Sequence, residues 1–129
     1  MQPTEIKNKK IVFVTPPLST KERYGISEQS GGKTMPIGLT SLASVTGHLG
    51  YPTAIVDAEI LRLDKNETVQ KILAFEPDYA GITAVTVSIF NAAEVTGLLK
   101  DRKKDIITII GGHHVSALPE ETLNLFFSI

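Results

Sequence analysis

Asp105-Ile-Ile-Thr-Ile-Ile-Gly-Gly-His-His-Val-Ser116 is the stretch on which the fold turns. Its β-branched run, Ile106 to Ile110, predicts a strand buried on both faces, the pattern of a parallel sheet. The run stops at Gly111-Gly112 and offers His113, His114 and Ser116. Pro119-Glu120-Glu121 then predicts a helix start, with acids at the positive end of its dipole. Open α/β sheets hold ligands beyond the carboxyl ends of their strands. Paired glycines at such an end let a bulky group approach the backbone.

Working outward, the same alternation of short apolar runs and amphipathic segments recurs. Ile11-Val-Phe-Val-Thr15 predicts the first strand, which Pro16-Pro17 ends because neither proline can donate to a ladder. Thr53 to Asp57 and Tyr79 to Thr83 predict two more strands. Between them, a helix opens at Pro36, with Ile37, Leu42, Val45 and Leu49 as its inward face and Gly50 as its stop. A second runs from about Asn66 to Phe75 on Val69, Ile72 and Leu73. A third starts at Ser88 or Ile89, carries Ala92, Ala93, Val95, Leu98 and Leu99, and ends in the basic turn Lys100 to Lys104. Strict alternation implies right-handed crossovers and a doubly wound parallel sheet, a three-layer α/β/α arrangement of the flavodoxin-like kind. Such sheets carry five strands, so the chain reads as one domain from residue 11 to 129, truncated before strand 5, behind a polar lead of residues 1 to 10. The fourth strand would then be an exposed edge open to self-association. The polar connection from Leu18 to Met35 is long for a compact domain and is a candidate lid over the strand ends.

The 129 residues, 42% hydrophobic and 21% charged with a net charge of -1, describe an ordinary globular domain. Near neutrality gives no reason to expect nucleic acid or an anionic membrane surface. The absence of cysteine excludes disulfides, thiolate zinc and iron–sulfur ligation within these residues. No apolar run is long enough to span a bilayer, and the polar start is no signal peptide, so a cytoplasmic location is the expectation.

Several ligand classes fail on their motifs. The first strand is not followed by the glycine pattern of dinucleotide binding, and Gly31-Gly32-Lys33-Thr34 lies too far from it for a phosphate loop. A phosphoacceptor domain needs acids where Thr15-Pro16-Pro17 stands. A flavin phosphate could contact Ser19 or Thr20, which leaves an FMN-binding domain open. His113 and His114, adjacent on a regular strand, would point to opposite faces and could not chelate one metal together.

Four motifs in order then produce a resemblance. Pro36-Ile37-Gly38-Leu39 is followed by Ser41-Leu42-Ala43; Ile55-Val56-Asp57 and Gly81-Ile82-Thr83 close two strands; Gly111-Gly112-His113-His114-Val115-Ser116 precedes Pro119-Glu120-Glu121. Over residues 10 to 125 the chain resembles the N-terminal cobalamin-binding domain of B12-dependent radical S-adenosylmethionine proteins, a family that includes corrinoid methyltransferases and an anaerobic magnesium-protoporphyrin cyclase.

The resemblance implies cofactor contacts at Pro16, Pro17, Met35, Pro36, Gly38, Asp57, Thr83, Ala84, Val85, Thr86, Gly111, Gly112, His113 and His114. It implies no catalytic or metal-ligating residue in this stretch. Corrinoid domains of the methionine synthase type place an aspartate and a cobalt-ligating histidine where Lys33 and Met35 stand here. Neither residue can form that pair. The implied state is cobalamin bound base-off without a protein histidine. S-adenosylmethionine, a [4Fe-4S] cluster and the radical chemistry would belong to a downstream domain, which would be this domain's partner in methyl transfer or tetrapyrrole modification. A ligand-free flavodoxin-like docking module is the alternative.

Overall fold

In the computed structural model, residues 8–30 and 35–125 are described. The elements run β1 (Ile11–Thr15), α1 (Thr20–Tyr24), a 3-10 turn (Gly25–Ser30), α2 (Ile37–His48), β2 (Thr53–Asp57), α3 (Lys65–Ala74), β3 (Tyr79–Thr83), a short 3-10 turn (Thr86–Ser88), α4 (Ile89–Arg102), β4 (Ile107–Gly111), α5 (His113–Ala117) and α6 (Pro119–Leu125). All strand pairs are parallel, in the order β2-β1-β3-β4. The doubly wound three-layer arrangement expected from the alternation is therefore present.

Strand register divides the sheet into two unlike faces. Val12, Val14, Val56, Ala80 and Ile82 point to one side, where Val69 and Ile72 of α3 and Ile89, Ala92, Val95 and Leu99 of α4 cover them. This is the core, and every one of these residues is buried. Helix α3 is held at its start by a reciprocal cap: the Glu67 N–H donates to Asp64 Oδ1 at 2.7 Å, while the Asp64 N–H donates to Glu67 Oε1 at 3.2 Å. Two buried threonines turn their hydroxyls back onto their own helices, Thr68 to the Asp64 carbonyl and Thr96 to the Ala92 carbonyl. The amino ends of β1 and β3 are aligned by the Asp78 carboxylate, which accepts from the Lys10 N–H at 2.8 Å.

The opposite face carries Ile11, Phe13 and Thr15 from β1, Tyr79, Gly81 and Thr83 from β3, and Ile107, Ile109 and Gly111 from β4. Among the described residues α2 packs over it, against β1 and β2. Two expectations are corrected here. The run Ile106–Ile110 is not buried on both faces: β4 is an edge strand, and Ile107 and Ile109 are 50% and 56% exposed. The apolar stripe of α2 is not a core face either, since Ile37, Leu42, Val45 and Leu49 are all more than half exposed and Leu39 is its one buried residue.

Two further expectations change in detail. The connection after β1 contains α1, closed by a capping box in which Ser19 and Glu22 exchange hydrogen bonds at 3.0 and 2.7 Å. His113 and His114 do not continue the strand but open α5. The segments Gly31 to Thr34 and Phe126 to Ile129, and with them Lys33 and the apolar end, lie outside the described residues.

Candidate functional site

Between α2 and the open sheet face runs a groove of about 830 Å³. It extends from the carboxyl ends of the strands, at Pro16, Thr83 and Gly111, down to Tyr51 and Tyr79 at their amino ends. Its lining is layered by the register of the sheet. The floor is apolar: Phe13, Gly81 and Ile109 share one level, and Ile11 and Tyr79 the next. The mouth is polar and small, with Thr15, Thr83 and Gly111 across β1, β3 and β4. Leu39, Leu42 and Thr46 of α2 form the facing wall. The Thr46 hydroxyl is already satisfied by the Leu42 carbonyl at 3.0 Å and by Thr53 Oγ1 at 3.1 Å. An amphipathic ligand with a flat apolar part fits this layering.

The glycines around the mouth are of two kinds. At Gly112 φ is +103°, and a Cβ would fall 3.0 Å from the Ala84 nitrogen and Thr83 Oγ1, and closer still to the Ala84 carbonyl oxygen. Glycine is required there by the fold itself, which presses the β4–α5 turn onto the end of β3. The Ala84 N–H donates to the Gly111 carbonyl at 2.9 Å in the same contact. At Gly38 and Gly111, by contrast, a Cβ would meet no atom of another described segment within 4 Å, and neither residue has a positive φ. Packing among the described residues does not ask for glycine at these two positions, as it does not at Gly47 outside the groove, but Gly38 and Gly111 both line the groove. Beside them, the Thr15 hydroxyl is shut away from solvent with no hydrogen-bond partner. Open glycines and an orphaned hydroxyl around one cavity are what a large bound group would leave behind.

A family model described as the B12 binding domain matches residues 25–127. The chain belongs to that family. An uncharacterised methyltransferase of Pyrococcus horikoshii is 30% identical over 118 residues, which is 92% of this chain and 25% of that protein. The anaerobic magnesium-protoporphyrin IX monomethyl ester cyclase of Rubrivivax gelatinosus is 33% identical over 84 residues, 64% of this chain and 15% of that one. The chain thus spans a quarter or less of these curated relatives. A cobalamin-binding protein from Desulfitobacterium hafniense superposes with a TM-score of 0.59 at 20% identity, over 92% of this chain and 49% of its own, and shares the fold.

In this B12-binding domain, nine of the residues implicated by sequence line the groove: Pro16, Pro36, Gly38, Thr83, Ala84, Val85, Gly111, Gly112 and His113. The other five lie elsewhere. Pro17 is buried, its carbonyl accepting from Asn91 Nδ2 at 2.9 Å, and it borders a second cavity. Met35 is 71% exposed and outside the groove lining. The Asp57 carboxylate accepts from the Ile60 N–H at 3.1 Å and so caps the turn after β2. Thr86 and His114 are joined to each other, Oγ1 to Nδ1, at 3.1 Å. The two histidines are thereby separated, His113 toward the groove and His114 toward the turn after β3. Among the described residues no group of three His, Cys, Asp or Glu could hold a metal ion.

Sequence reasoning missed Thr15, Arg23 and Glu59. Thr15 had a usable signal, being the carboxyl-terminal residue of a strand in an open α/β sheet. Arg23 and Glu59 had none, because 36 residues separate them. In the fold Arg23 Nε and Nη2 both donate to the Glu59 carboxylate at 2.7 Å, tying α1 to the turn after β2 beside the groove. This hydrogen-bonded pair raises the Arg23 pKa above its ordinary value, keeping the guanidinium charged.

Proposed function

We propose that this domain binds cobalamin base-off, with the nucleotide tail laid in the groove between α2 and the sheet and without a histidine from position 35. The observation that carries the reading is the groove itself, apolar at its floor and flanked by two glycines that packing among the described residues does not ask for. The flat lower base suits the layer of Phe13, Gly81 and Ile109, and the sugar-phosphate linker suits the Thr83 hydroxyl above it. Gly38 and Gly111 would let the corrin approach the backbone at the mouth. Met35, exposed at the turn before α2, offers a thioether where the methionine synthase type offers imidazole.

Cobalamin supplies a cobalt centre that accepts and releases a methyl group. This chain's part is to hold the tail, keep water from the floor of the groove and present the corrin at the strand ends. The longer relatives, a methyltransferase and a cyclase, support a place beside a radical S-adenosylmethionine domain that would carry its own iron–sulfur cluster. Among the described residues β4 is the outermost strand, which supports a place beside it for a further strand from a longer protein or a second copy.

The flavin reading draws less support from the geometry. The Ser19 N–H is spent on the Glu22 carboxylate, which would face and repel any phosphate placed there, and the Ser19 hydroxyl accepts from the Glu22 N–H. Titration with hydroxocobalamin, followed in the visible spectrum, tests the proposal. A base-off spectrum at neutral pH is expected, and reduction to the cobalt(II) form should give an electron paramagnetic resonance signal without nitrogen splitting from an axial ligand. No spectral change and no co-elution at tens of micromolar cobalamin would overturn it.

A further inference from the structure

We infer that the Thr15 hydroxyl is a specificity contact: it hydrogen-bonds the nucleotide tail of the bound corrinoid where the tail enters the groove. The inference rests on the cobalamin reading above and adds to it a residue that the family's motifs do not mark. Among the described residues, Thr15 Oγ1 is the one buried side-chain nitrogen or oxygen left without a hydrogen-bond partner. Buried polar groups are almost always paired, so an unpaired one calls for a physical cause.

Its position supplies that cause. Alternation along β1 puts Thr15 on the groove side with Ile11 and Phe13, and it lines the cavity. Its backbone carbonyl is separately occupied by the Ala58 N–H at 3.1 Å, so only the side chain is idle. One residue beyond the paired Val14 and Ile82, Thr15 and Thr83 bring two hydroxyls to one level on neighbouring strands, with Gly111 opposite Thr83. A ligand reaching the apolar floor must cross that row. Its flat base then lies below the hydroxyls and its ribose-phosphate linker level with them. Oγ1 is covered in the free chain, so a turn about χ1 has to bring it to the groove; a hydroxyl both donates and accepts, and either a phosphate oxygen or a ribose hydroxyl then satisfies it. Valine would serve the strand equally well and leave no orphan; the hydroxyl is therefore placed for something other than folding.

The test compares the wild-type chain with Thr15→Val and Thr15→Ser, each titrated with hydroxocobalamin and with cobinamide, which lacks the nucleotide tail. Thr15→Val should melt at or above the wild-type temperature and bind hydroxocobalamin roughly tenfold more weakly. Thr15→Ser should stay within about twofold of wild type, because it keeps the donor and acceptor. Cobinamide should bind wild type and Thr15→Val alike. Equal hydroxocobalamin affinity in wild type and Thr15→Val overturns the assignment of Thr15 alone. So does a matching loss for cobinamide, or a lower melting temperature for Thr15→Val. A wild-type chain that takes up no hydroxocobalamin while remaining folded overturns the cobalamin reading, and this inference with it.

Discussion

Replacing each mouth glycine by alanine separates what the fold requires from what the ligand requires. At Gly38, in the first turn of α2, and at Gly111, closing β4, a methyl group meets only open space and the backbone stays in ordinary conformations. Alanine there removes conformational freedom from the unfolded chain and should stabilise the domain by about 0.4–1 kcal/mol. That corresponds to a rise in melting temperature of roughly 2–5 °C. At Gly112 the same methyl is forced onto the Ala84 carbonyl in a backbone with φ of +103°. Strain and overlap together should cost about 2–4 kcal/mol, a fall of roughly 10–20 °C. Thermal unfolding by circular dichroism reads these shifts, and hydroxocobalamin titration reads the other half. Gly38→Ala and Gly111→Ala should each weaken binding by about tenfold or more, since the added methyl occupies the space into which the corrin is expected to come. Two stabilised variants with impaired binding would be hard to explain by any damage to the fold. Wild-type affinity in both would refute the reasoning, and so would a loss of stability in either.

The remaining expectations concern the surroundings of the groove. Ile109→Lys should leave the melting curve nearly unchanged, because the residue is 56% exposed, yet abolish hydroxocobalamin uptake by placing a charge on the apolar floor. Arg23→Ala takes the bidentate guanidinium from the Glu59 carboxylate, whose side chain is only 11% exposed, and should lower stability by about 1–3 kcal/mol; Arg23→Ala with Glu59→Gln should recover part of that loss in a double-mutant cycle. Glu22 is held below its ordinary value of 4.5, chiefly because its carboxylate accepts the Ser19 N–H. A depressed carboxylate stabilises the folded state above its unfolded pKa and loses that contribution as pH falls through its folded value. Acid unfolding should therefore be less steep below about pH 4.5 in Glu22→Gln than in wild type, and a nuclear magnetic resonance titration should place the Glu22 midpoint below 4.5. An unshifted midpoint would contradict the capping geometry.

Local signals made most of the architecture legible. The strands at Ile11–Thr15, Thr53–Asp57 and Tyr79–Thr83 follow from short β-branched runs bounded by prolines, aspartates and glycines. Inward faces of α3 and α4 follow from helical periodicity, and Val69, Ile72, Val95 and Leu99 are fully buried as that periodicity requires. What stayed hidden was long-range or irregular. The Arg23–Glu59 pair needs the tertiary fold to exist at all, and α5 begins at two histidines that carry no start signal of their own. The connection from Leu18 onward read as a candidate lid, and its helix α1 went unseen because the capping box of Ser19 with Glu22 lies outside any apolar periodicity.

Two misreadings of burial are more informative than the successes, because they fall on the same side of the sheet. Periodicity assigned Ile37, Leu42, Val45 and Leu49 of α2 to a core, and the run at Ile106–Ile110 was read as a strand covered on both faces. The fold leaves the α2 stripe and β4's Ile107 and Ile109 exposed on either side of one groove. An apolar pattern states that a surface should be kept from water; it does not state what covers it. The opposite face shows that the chain can supply two helices where it needs them. On this face the described residues supply one, and glycines stand at positions 38 and 111, where a Cβ would meet no described atom within 4 Å, while the unpaired Thr15 hydroxyl belongs to the same groove. Local rules that fail together, around one cavity, mark a surface shaped for something other than the chain's own packing. A ligand that binds there stabilises the folded state by mass action, by about 2.7 kcal/mol at one hundred times its dissociation constant. The exposed apolar area is thus a cost in the free domain that occupancy of the groove offsets.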